Sequence, residues 1–238
     1  MCPVPERSDA TAGAGREVGA FFDVDNTIVR GASAFHLAVA LRRRGILGLR
    51  DILKFALQQA RYLAFGENRR AMNQVRDDAL AIVAGLSVAE MGLVAEDTYD
   101  EVLHLRIFPA ARRLLEKHLA AGHAVWLVTA GPAEIGELIA RRLGATGAVG
   151  TVLERENGHY TGRLVGDLLH GTAKADAVVR LAEREGISLA GSFAYGDSAH
   201  DVPLLGLVGT PVAINPDRRL RRYARAAGWP IRDFRVHD

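Results

Sequence analysis

The feature that most constrains the fold of this chain is a series of short apolar runs. Each run ends in polar residues, and helical patterns separate the runs. Residues 18–25 read VGAFFDVD, residues 124–129 read AVWLVT, and residues 192–197 read SFAYGD. Further strands are predicted at 148–153 and 211–214, a small hairpin at HYTGRLVG, and helices at 109–121, 132–143, 172–186 and 199–206. This alternation predicts an α/β fold, a doubly wound, mostly parallel sheet with helices on both faces.

Between the first apolar run and residue 107 the pattern is helical throughout. Residues 34–106 contain no proline, and apolar residues recur at intervals of three and four, which predicts helices near 34–45, 49–66, 68–84 and 87–105. We therefore expect an α/β core of residues 17–33 and 107–238 with an all-helical cap, residues 34–106, inserted into it. Residues 1–16, rich in Pro, Gly and Ala, are expected to form a flexible leader.

Composition narrows the class of protein. Of the 238 residues, 49% are hydrophobic and 24% are charged, which is typical of a soluble globular chain. The formal net charge of +2 gives no indication of a nucleic-acid partner, and a single cysteine excludes an internal disulfide framework. No apolar run approaches the roughly 20 residues that cross a bilayer, and no signal-peptide core is visible. We expect a cytoplasmic protein without stable membrane insertion.

Acids, a hydroxyl and a lysine follow the predicted strands or open the next helix. The residues concerned are Asp23, Asp25, Thr129, Ala130, Lys174, Asp197 and Asp201. Because the carboxyl ends of parallel strands meet at one edge of a sheet, we expect these groups to lie together. Carboxylates without His or Cys partners favour Mg²⁺, and with a lysine and a hydroxyl they can bind a phosphoryl group. Of Asp23 and Asp25, one can attack phosphorus while the other transfers the proton.

Four short motifs occur in a fixed order along the chain. They are DVDNT at 23–27, LVTAG at 127–131, GTAK at 171–174 and YGDSAHD at 195–201. Together they resemble the haloacid dehalogenase superfamily of aspartate-dependent phosphohydrolases, and the helical insertion resembles its phosphoserine-phosphatase-like subgroup. The resemblance covers residues 18–235. It implies a Mg²⁺-dependent phosphomonoester hydrolase that acts on a small phosphorylated metabolite, with phosphoserine as the default substrate.

The same resemblance implies roles for individual residues. Asp23 would be the nucleophile and would form a phosphoaspartate intermediate. Asp25 would protonate the departing alkoxide and then activate the hydrolytic water, which requires a raised pKa. Thr129, the backbone N–H of Ala130 and Lys174 would hold the phosphoryl group. The implied metal ligands are Asp23, the backbone carbonyl of Asp25, and Asp197. Asp201 would orient these ligands or Lys174 without binding the metal itself.

Two departures from the subgroup bear on specificity. His200 stands in the fourth motif where relatives often have Asn, and we assign it no catalytic role. Phosphoserine phosphatases carry a glutamate shortly after the first motif that helps bind the substrate's ammonium, but residues 28–34 contain no acid. Arg30 in that stretch favours an anionic or hydroxylated substrate, unless Asp77 or Asp78 compensates. We therefore predict that phosphoserine is a mediocre substrate.

Other functions stay open at this point. A phosphotransferase or phosphomutase would use the same aspartate intermediate. Carbon–halogen hydrolysis is disfavoured because related dehalogenases lack an acid at the position of Asp25, and a receiver domain would have about half this length. A non-enzymatic protein that binds anionic surfaces through the basic run at residues 218–225 is the alternative from a different class. The oligomeric state is not predicted.

Overall fold

The computed structural model describes residues 18–48 and 69–235, and of residues 69–75 only the backbone. The predicted leader and the helix predicted at 49–66 lie outside the described residues. No helix in the described ranges is long and apolar enough to cross a membrane.

A parallel sheet of six strands forms the centre of the fold. The chain's strands are β1 (Gly19–Asp23), β2 (Ala124–Pro132), β3 (Gly147–Thr151), β4 (Leu153–Glu156), β5 (His159–Leu164), β6 (Phe193–Gly196), β7 (Thr210–Ile214) and β8 (Ile231–Arg232). The order across the sheet is β3-β2-β1-β6-β7-β8, and all neighbouring strands run parallel. β4 and β5 form a separate antiparallel hairpin. The predicted α/β fold class is confirmed.

Helices cover both faces of this sheet. They are α1 (Ser33–Arg43), α2 (Arg69–Val83), α3 (Val88–Thr98), α4 (Pro109–Ala120), α5 (Ala133–Leu143), α6 (Thr172–Glu185), α7 (Val202–Leu205) and α8 (Arg218–Ala227). A π-helical turn, Tyr99–Leu103, extends α3 towards a last short turn, His104–Arg106. Successive side chains of β1 point to opposite faces of the sheet. Phe21 packs in the same hydrophobic cluster as Val128, whereas Phe22 packs in the cluster that contains Leu127.

Three predicted elements differ in the structure. The strand predicted at 148–153 is divided between β3 and β4, and HYTGRL forms only one arm of a hairpin, which turns at Asn157 and Gly158. Both turn residues have positive φ, 49° and 79°, as Asn-Gly hairpin turns require. The helix predicted at 199–206 is instead a 3₁₀ turn, Ala199–Asp201, followed by α7, because the side chains of Ser198 and Asp201 cap the turn.

The helices between β1 and α4 contact both the sheet layer and the hairpin. α1 packs on α3, and α2 packs on β5. Backbone hydrogen bonds of 2.8 Å from Gly85 to Tyr160 and of 2.9 Å from Val88 to Gly158 join the α2–α3 loop to the hairpin. Leu37 of α1 also belongs to the hydrophobic cluster that contains Phe22. The division into a core and a cap at residues 34–106 stays a prediction.

Candidate active site

Strand β1 carries Asp23 to the carboxyl edge of the sheet. Asp23 is the last residue of the strand, is 5% exposed, and follows the buried Phe21 and Phe22. It is in register with Val128 of β2, so Thr129, the next residue of β2, lies beside the carboxyl end of β1. The strand order reverses beside β1, and doubly wound sheets form their ligand crevice at such a reversal. The first two motifs therefore meet at one place.

The ammonium of Lys174 joins two carboxylates at this edge. Lys174 is in the first turn of α6, is 4% exposed, and donates hydrogen bonds to Oδ1 of Asp23 and, at 2.9 Å, to Oδ1 of Asp201. Gly171 precedes the helix with a φ of 59°, a left-handed conformation that glycine adopts without a Cβ clash. The third motif thereby brings a buried cation to the acid of the first motif.

Three carboxyl groups form an acidic cluster, Asp23, Asp197 and Asp201. One oxygen of each lies within 4.8 Å of the others. Asp201 also accepts hydrogen bonds from the Ser198 backbone N–H at 3.2 Å and from its hydroxyl at 3.1 Å. Gly196 is required for this approach, because a Cβ there would lie 2.6 Å from the Cβ of Asp201. The fourth motif therefore contributes two acids, one of them anchored by the turn that it caps.

With all three carboxyl groups ionised, the cluster would carry more negative charge than the single ammonium of Lys174 can neutralise. Burial raises the pKa of Asp23 to about 7 against the opposing effect of Lys174, and burial together with the Asp23 charge raises the pKa of Asp197 to about 9. Although burial alone would raise the pKa of Asp201, Lys174 and Ser198 hold it below its usual value. Burial lowers the pKa of Lys174, but the carboxylates of Asp201 and Asp23 raise it overall. A cation at this cluster would be stabilised by the charge excess.

Asp25 lies apart from the acidic cluster, in the turn that follows β1. Its Oδ1 accepts a hydrogen bond of 2.9 Å from the backbone N–H of Ser33 at the start of α1. Burial raises the pKa of the Asp25 carboxyl, and the hydrogen bonds with Ser33 and the charge of Lys174 only oppose that rise. The direction of the shift is the one that a general acid needs near neutral pH.

The second motif lies in the last part of β2, where the register with β3 shifts between Val128 and Pro132. Oγ1 of the buried Thr129 accepts a hydrogen bond of 3.0 Å from the backbone N–H of Gly131. The hydroxyl of Thr151 donates to the carbonyl of Ala130 at 2.7 Å and accepts from the N–H of Leu169 at 3.0 Å. This part of β2 is therefore held by a hydrogen bond within the motif and by hydrogen bonds through Thr151 to the segment that leads into the third motif.

The structure brings together most of the predicted site residues. The acidic cluster and Lys174 are in direct contact or within a few ångströms, while Thr129 and Ala130 lie in the last part of β2, the strand next to β1. The side chain that completes the acidic cluster is that of Asp201, and the Asp25 side chain is not part of it. His200 lies beside the site with its ring centroid 4.5 Å from that of His170.

Two supporting residues were not predicted. The buried Asn215 donates a hydrogen bond of 2.7 Å to the backbone carbonyl of Asn26, in the turn that holds Asp25, and accepts one of 2.6 Å from the N–H of Phe234. Its position after β7, at the same edge of the sheet, was a usable signal. Ser33 acts on Asp25 through its backbone N–H, and no residue-type pattern indicates such a contact.

A cavity of about 430 Å³ lies beside the second motif and is bounded by Ala130 and Gly131 at that end. Arg30, expected to select the substrate, is not part of its lining; its guanidinium lies 5.3 Å from the centre of the Phe108 ring. Asp77 is not part of the lining either, and it is paired with Arg76 at 2.8 Å. Asp78 is also outside the lining, so none of these three residues lies at the cavity.

The haloacid dehalogenase-like hydrolase family matches residues 20–206, which include all four motifs and the whole acidic cluster. The chain belongs to this family. The predicted resemblance is thus confirmed, and membership of a hydrolase family supports the prediction of an enzyme over the non-enzymatic alternative.

Individual relatives agree with the family assignment. The chain is 51% identical to phosphoserine phosphatase SerB1 of Mycobacterium tuberculosis, over 95% of this chain and 76% of that protein. It is 30% identical to histidinol-phosphatase of Neisseria meningitidis, over 91% of this chain and 98% of that protein. A solved structure of a protein of unknown function from Bordetella pertussis Tohama I shares the fold with a TM-score of 0.81 and 30% identity, over 91% of this chain and 99% of the other. The prediction of a phosphatase is confirmed at the level of enzyme class.

Proposed function

We propose that this haloacid dehalogenase-family enzyme is a Mg²⁺-dependent phosphomonoester hydrolase that forms a phosphoaspartate on Asp23 and acts on a small phosphorylated metabolite. The observation that carries the proposal is the buried contact between Lys174 and Asp23 at the edge of an acidic cluster. An aspartate held in this way is oriented for attack, and the ammonium beside it lowers the repulsion between its charge and that of a phosphate.

The first half of the reaction transfers the phosphoryl group to the enzyme. A carboxylate oxygen of Asp23 attacks phosphorus, and the bond between phosphorus and the ester oxygen of the substrate breaks. Asp25, whose pKa burial raises, gives its proton to the departing alkoxide. The Thr129 hydroxyl, the Ala130 N–H and the Lys174 ammonium hold the phosphoryl oxygens during the transfer.

The second half of the reaction restores the enzyme. Water attacks the phosphorus of the phosphoaspartate, and Asp25, now a carboxylate, accepts the proton of that water. The bond between phosphorus and Asp23 breaks, which releases inorganic phosphate and regenerates both carboxyl groups in their starting states. A single residue can serve in both halves because each half leaves it in the protonation state that the other requires.

The donor set fits a hard divalent cation. The proposed ligands are Asp23, the backbone carbonyl of Asp25, and Asp197. Within the described residues the acidic cluster consists of carboxylates without His or Cys, and burial first, then the neighbouring carboxylates, raise the pKa of Asp23 and of Asp197. When bound, Mg²⁺ would neutralise charge on the phosphoryl oxygens. Asp201, which touches Lys174 and Ser198, would position the lysine without reacting itself.

Phosphate release from a panel of phosphomonoesters tests the proposal. The panel contains phosphoserine and histidinol phosphate, suggested by the names of the two relatives, together with sugar and glycerol phosphates, each with Mg²⁺ and with chelator. We expect turnover only with the metal. Transfer to an added alcohol in place of phosphate release would instead support the phosphotransferase alternative, and no reaction with any ester would overturn the proposal. A cytoplasmic location stays a prediction from the sequence.

A further inference from the structure

The cavity beside the second motif has an unusual lining for a site that binds a charged metabolite. Helices α1, α2, α3 and α5 contribute apolar side chains to it, among them Leu37, Leu41, Leu80, Val83, Met91 and Leu138. At one end it reaches Ala130 and Gly131, which adjoin the proposed phosphoryl site. A volume of about 430 Å³ is within the range of small-molecule sites. The group attached to a phosphoryl on Thr129 and Ala130 would extend into this space.

The arginines of the lining already have protein partners. Arg141 is paired with Glu96, which also lines the cavity, and Arg76 is paired with Asp77 at 2.8 Å. A substrate carboxylate would therefore have to displace an existing ion pair in order to bind either arginine. Hydrophobic burial involves no such competition.

The acid Glu134 of the lining, like the arginines, is already bound to other protein groups. One oxygen of Glu134 is bonded to Arg155 and accepts from the Tyr160 hydroxyl at 3.3 Å, while the other, Oε2, is buried without a hydrogen-bond partner. Among the lining residues that the structure describes, Glu134 thus keeps one unpaired acceptor, whereas both arginines are paired. A zwitterion such as phosphoserine would leave its carboxylate without a cationic partner.

We propose that the substrate's leaving alcohol carries a hydrophobic group that occupies this cavity, so that the enzyme acts on phosphate esters of hydrophobic alcohols. The inference rests on the proposed phosphatase function and names its substrate class. Burial of each additional methylene in an apolar site strengthens binding by up to about fourfold. Because the cavity adjoins the reacting group, that gain appears in kcat/KM.

A series of n-alkyl phosphates from ethyl to hexyl, with phosphoserine as the polar reference, tests this inference. We expect kcat/KM to rise by about two- to fourfold per methylene, and hexyl phosphate to exceed phosphoserine at least tenfold. A flat or falling series, or a lead for phosphoserine, overturns the inference while leaving the phosphatase function standing. Failure to hydrolyse any ester in the presence of Mg²⁺ would instead overturn the proposed function.

A matched pair of variants on α2 locates the effect. Ala79 lines the cavity, whereas Ala81 on the same helix is exposed and does not. Ala79→Trp should lower the hexyl-to-ethyl ratio of kcat/KM at least fivefold by filling the cavity, and Ala81→Trp should leave the ratio within twofold of the parent. Equal ratios in the two variants overturn the placement of the alkyl group. Circular dichroism and melting curves of both variants confirm that they fold, and Ala79→Leu replaces Ala79→Trp if the larger side chain prevents folding.

Discussion

The acidic cluster and the neighbouring cavity are adjacent regions of this molecule built on different physical principles. In the cluster, buried charged groups are linked by short hydrogen bonds, as between Lys174 and Asp201 at 2.9 Å. In the cavity, aliphatic side chains such as Leu37 and Leu138 predominate, and both arginines of the lining are engaged by acids. The cluster can hold a phosphoryl group and a cation, whereas the cavity can distinguish substrates mainly by the hydrophobic area that they bury.

The comparison separates chemistry from specificity. The cluster comes from short motifs at strand ends, and Gly196 shows how closely its backbone is constrained, since a Cβ there would clash with Asp201. The cavity is lined largely by four helices and also by β2, β3 and the β4–β5 hairpin, and its apolar side chains are interchangeable with others of similar volume. A substitution in the cluster should therefore abolish turnover of every substrate, and one in the cavity should change the order of preference among substrates.

The largest effect is expected for Asp23→Asn. Loss of the nucleophile should lower kcat by about 10⁴-fold or more, roughly 5 kcal/mol of barrier, for hydrophobic and polar esters alike. Steady-state phosphate release measures the loss, and Asp176→Asn, an exposed acid on α6, is the control that should retain activity. Activity of the Asp23 variant within tenfold of the parent would remove Asp23 from the proposed mechanism.

Asp25→Asn should give the next largest loss. Because the same group acts as acid and then as base, phosphoaspartate formation and its hydrolysis should both slow, each by about 10³-fold. Rapid-quench measurements separate the two steps. Asp25 is not part of the cavity lining, so the variant should still bind longer alkyl phosphates more tightly. Loss of this chain-length dependence together with turnover would contradict the distinction between cluster and cavity.

Removal of a proposed metal ligand should give a smaller, metal-dependent effect. Asp197→Asn should raise the Mg²⁺ concentration for half-maximal activity at least about tenfold, because one anionic oxygen ligand is lost. Activity titrated against free Mg²⁺ measures the shift, and excess chelator should abolish turnover in the parent. An unchanged Mg²⁺ requirement in this variant would contradict the proposed ligand set.

The sequence predicts those parts of the site whose role depends on the type of side chain. DVDNT and YGDSAHD contain acids that are costly to bury at a strand end without a partner, so Asp23 and Asp197 could be predicted without the structure. The contact of Asp25 with the backbone of Ser33 could not, because any residue supplies an N–H. The cavity could not be predicted either, since an apolar helix position looks the same whether it faces a core or a ligand.

Asn215 tests how far the supporting structure controls the cluster. Asn215→Ala should lower the free energy of unfolding by about 1–3 kcal/mol, because it leaves the Phe234 N–H and the Asn26 carbonyl without their partner and strains a residue with a φ of 48°. Asn157→Ala is a matched control, since Asn157 has a similar φ of 49° but lies in the exposed hairpin turn. Urea unfolding of both variants measures the difference. An equal loss in both would assign the effect to backbone strain alone.

The smallest effect concerns a buried polar group outside the cluster, His118 near the end of α4. Nε2 of His118 lies 2.7 Å from the Tyr195 hydroxyl, and burial, with His123 and Arg232 nearby, lowers the pKa of His118 to about 4. In the unfolded chain this pKa is near 6.5, so the unfolded state takes up a proton first as the pH falls. His118 therefore contributes full stability above about pH 6.5 and progressively less down to about pH 4.

Urea unfolding of the parent and of His118→Gln, which removes the titration, tests this expectation. Between pH 7 and pH 5 the free energy of unfolding of the parent should fall by about 1–2 kcal/mol relative to that of the variant. A parallel pH dependence in the two proteins would show that His118 does not titrate differently on folding, and that buried polar groups outside the cluster are not under comparable electrostatic constraint.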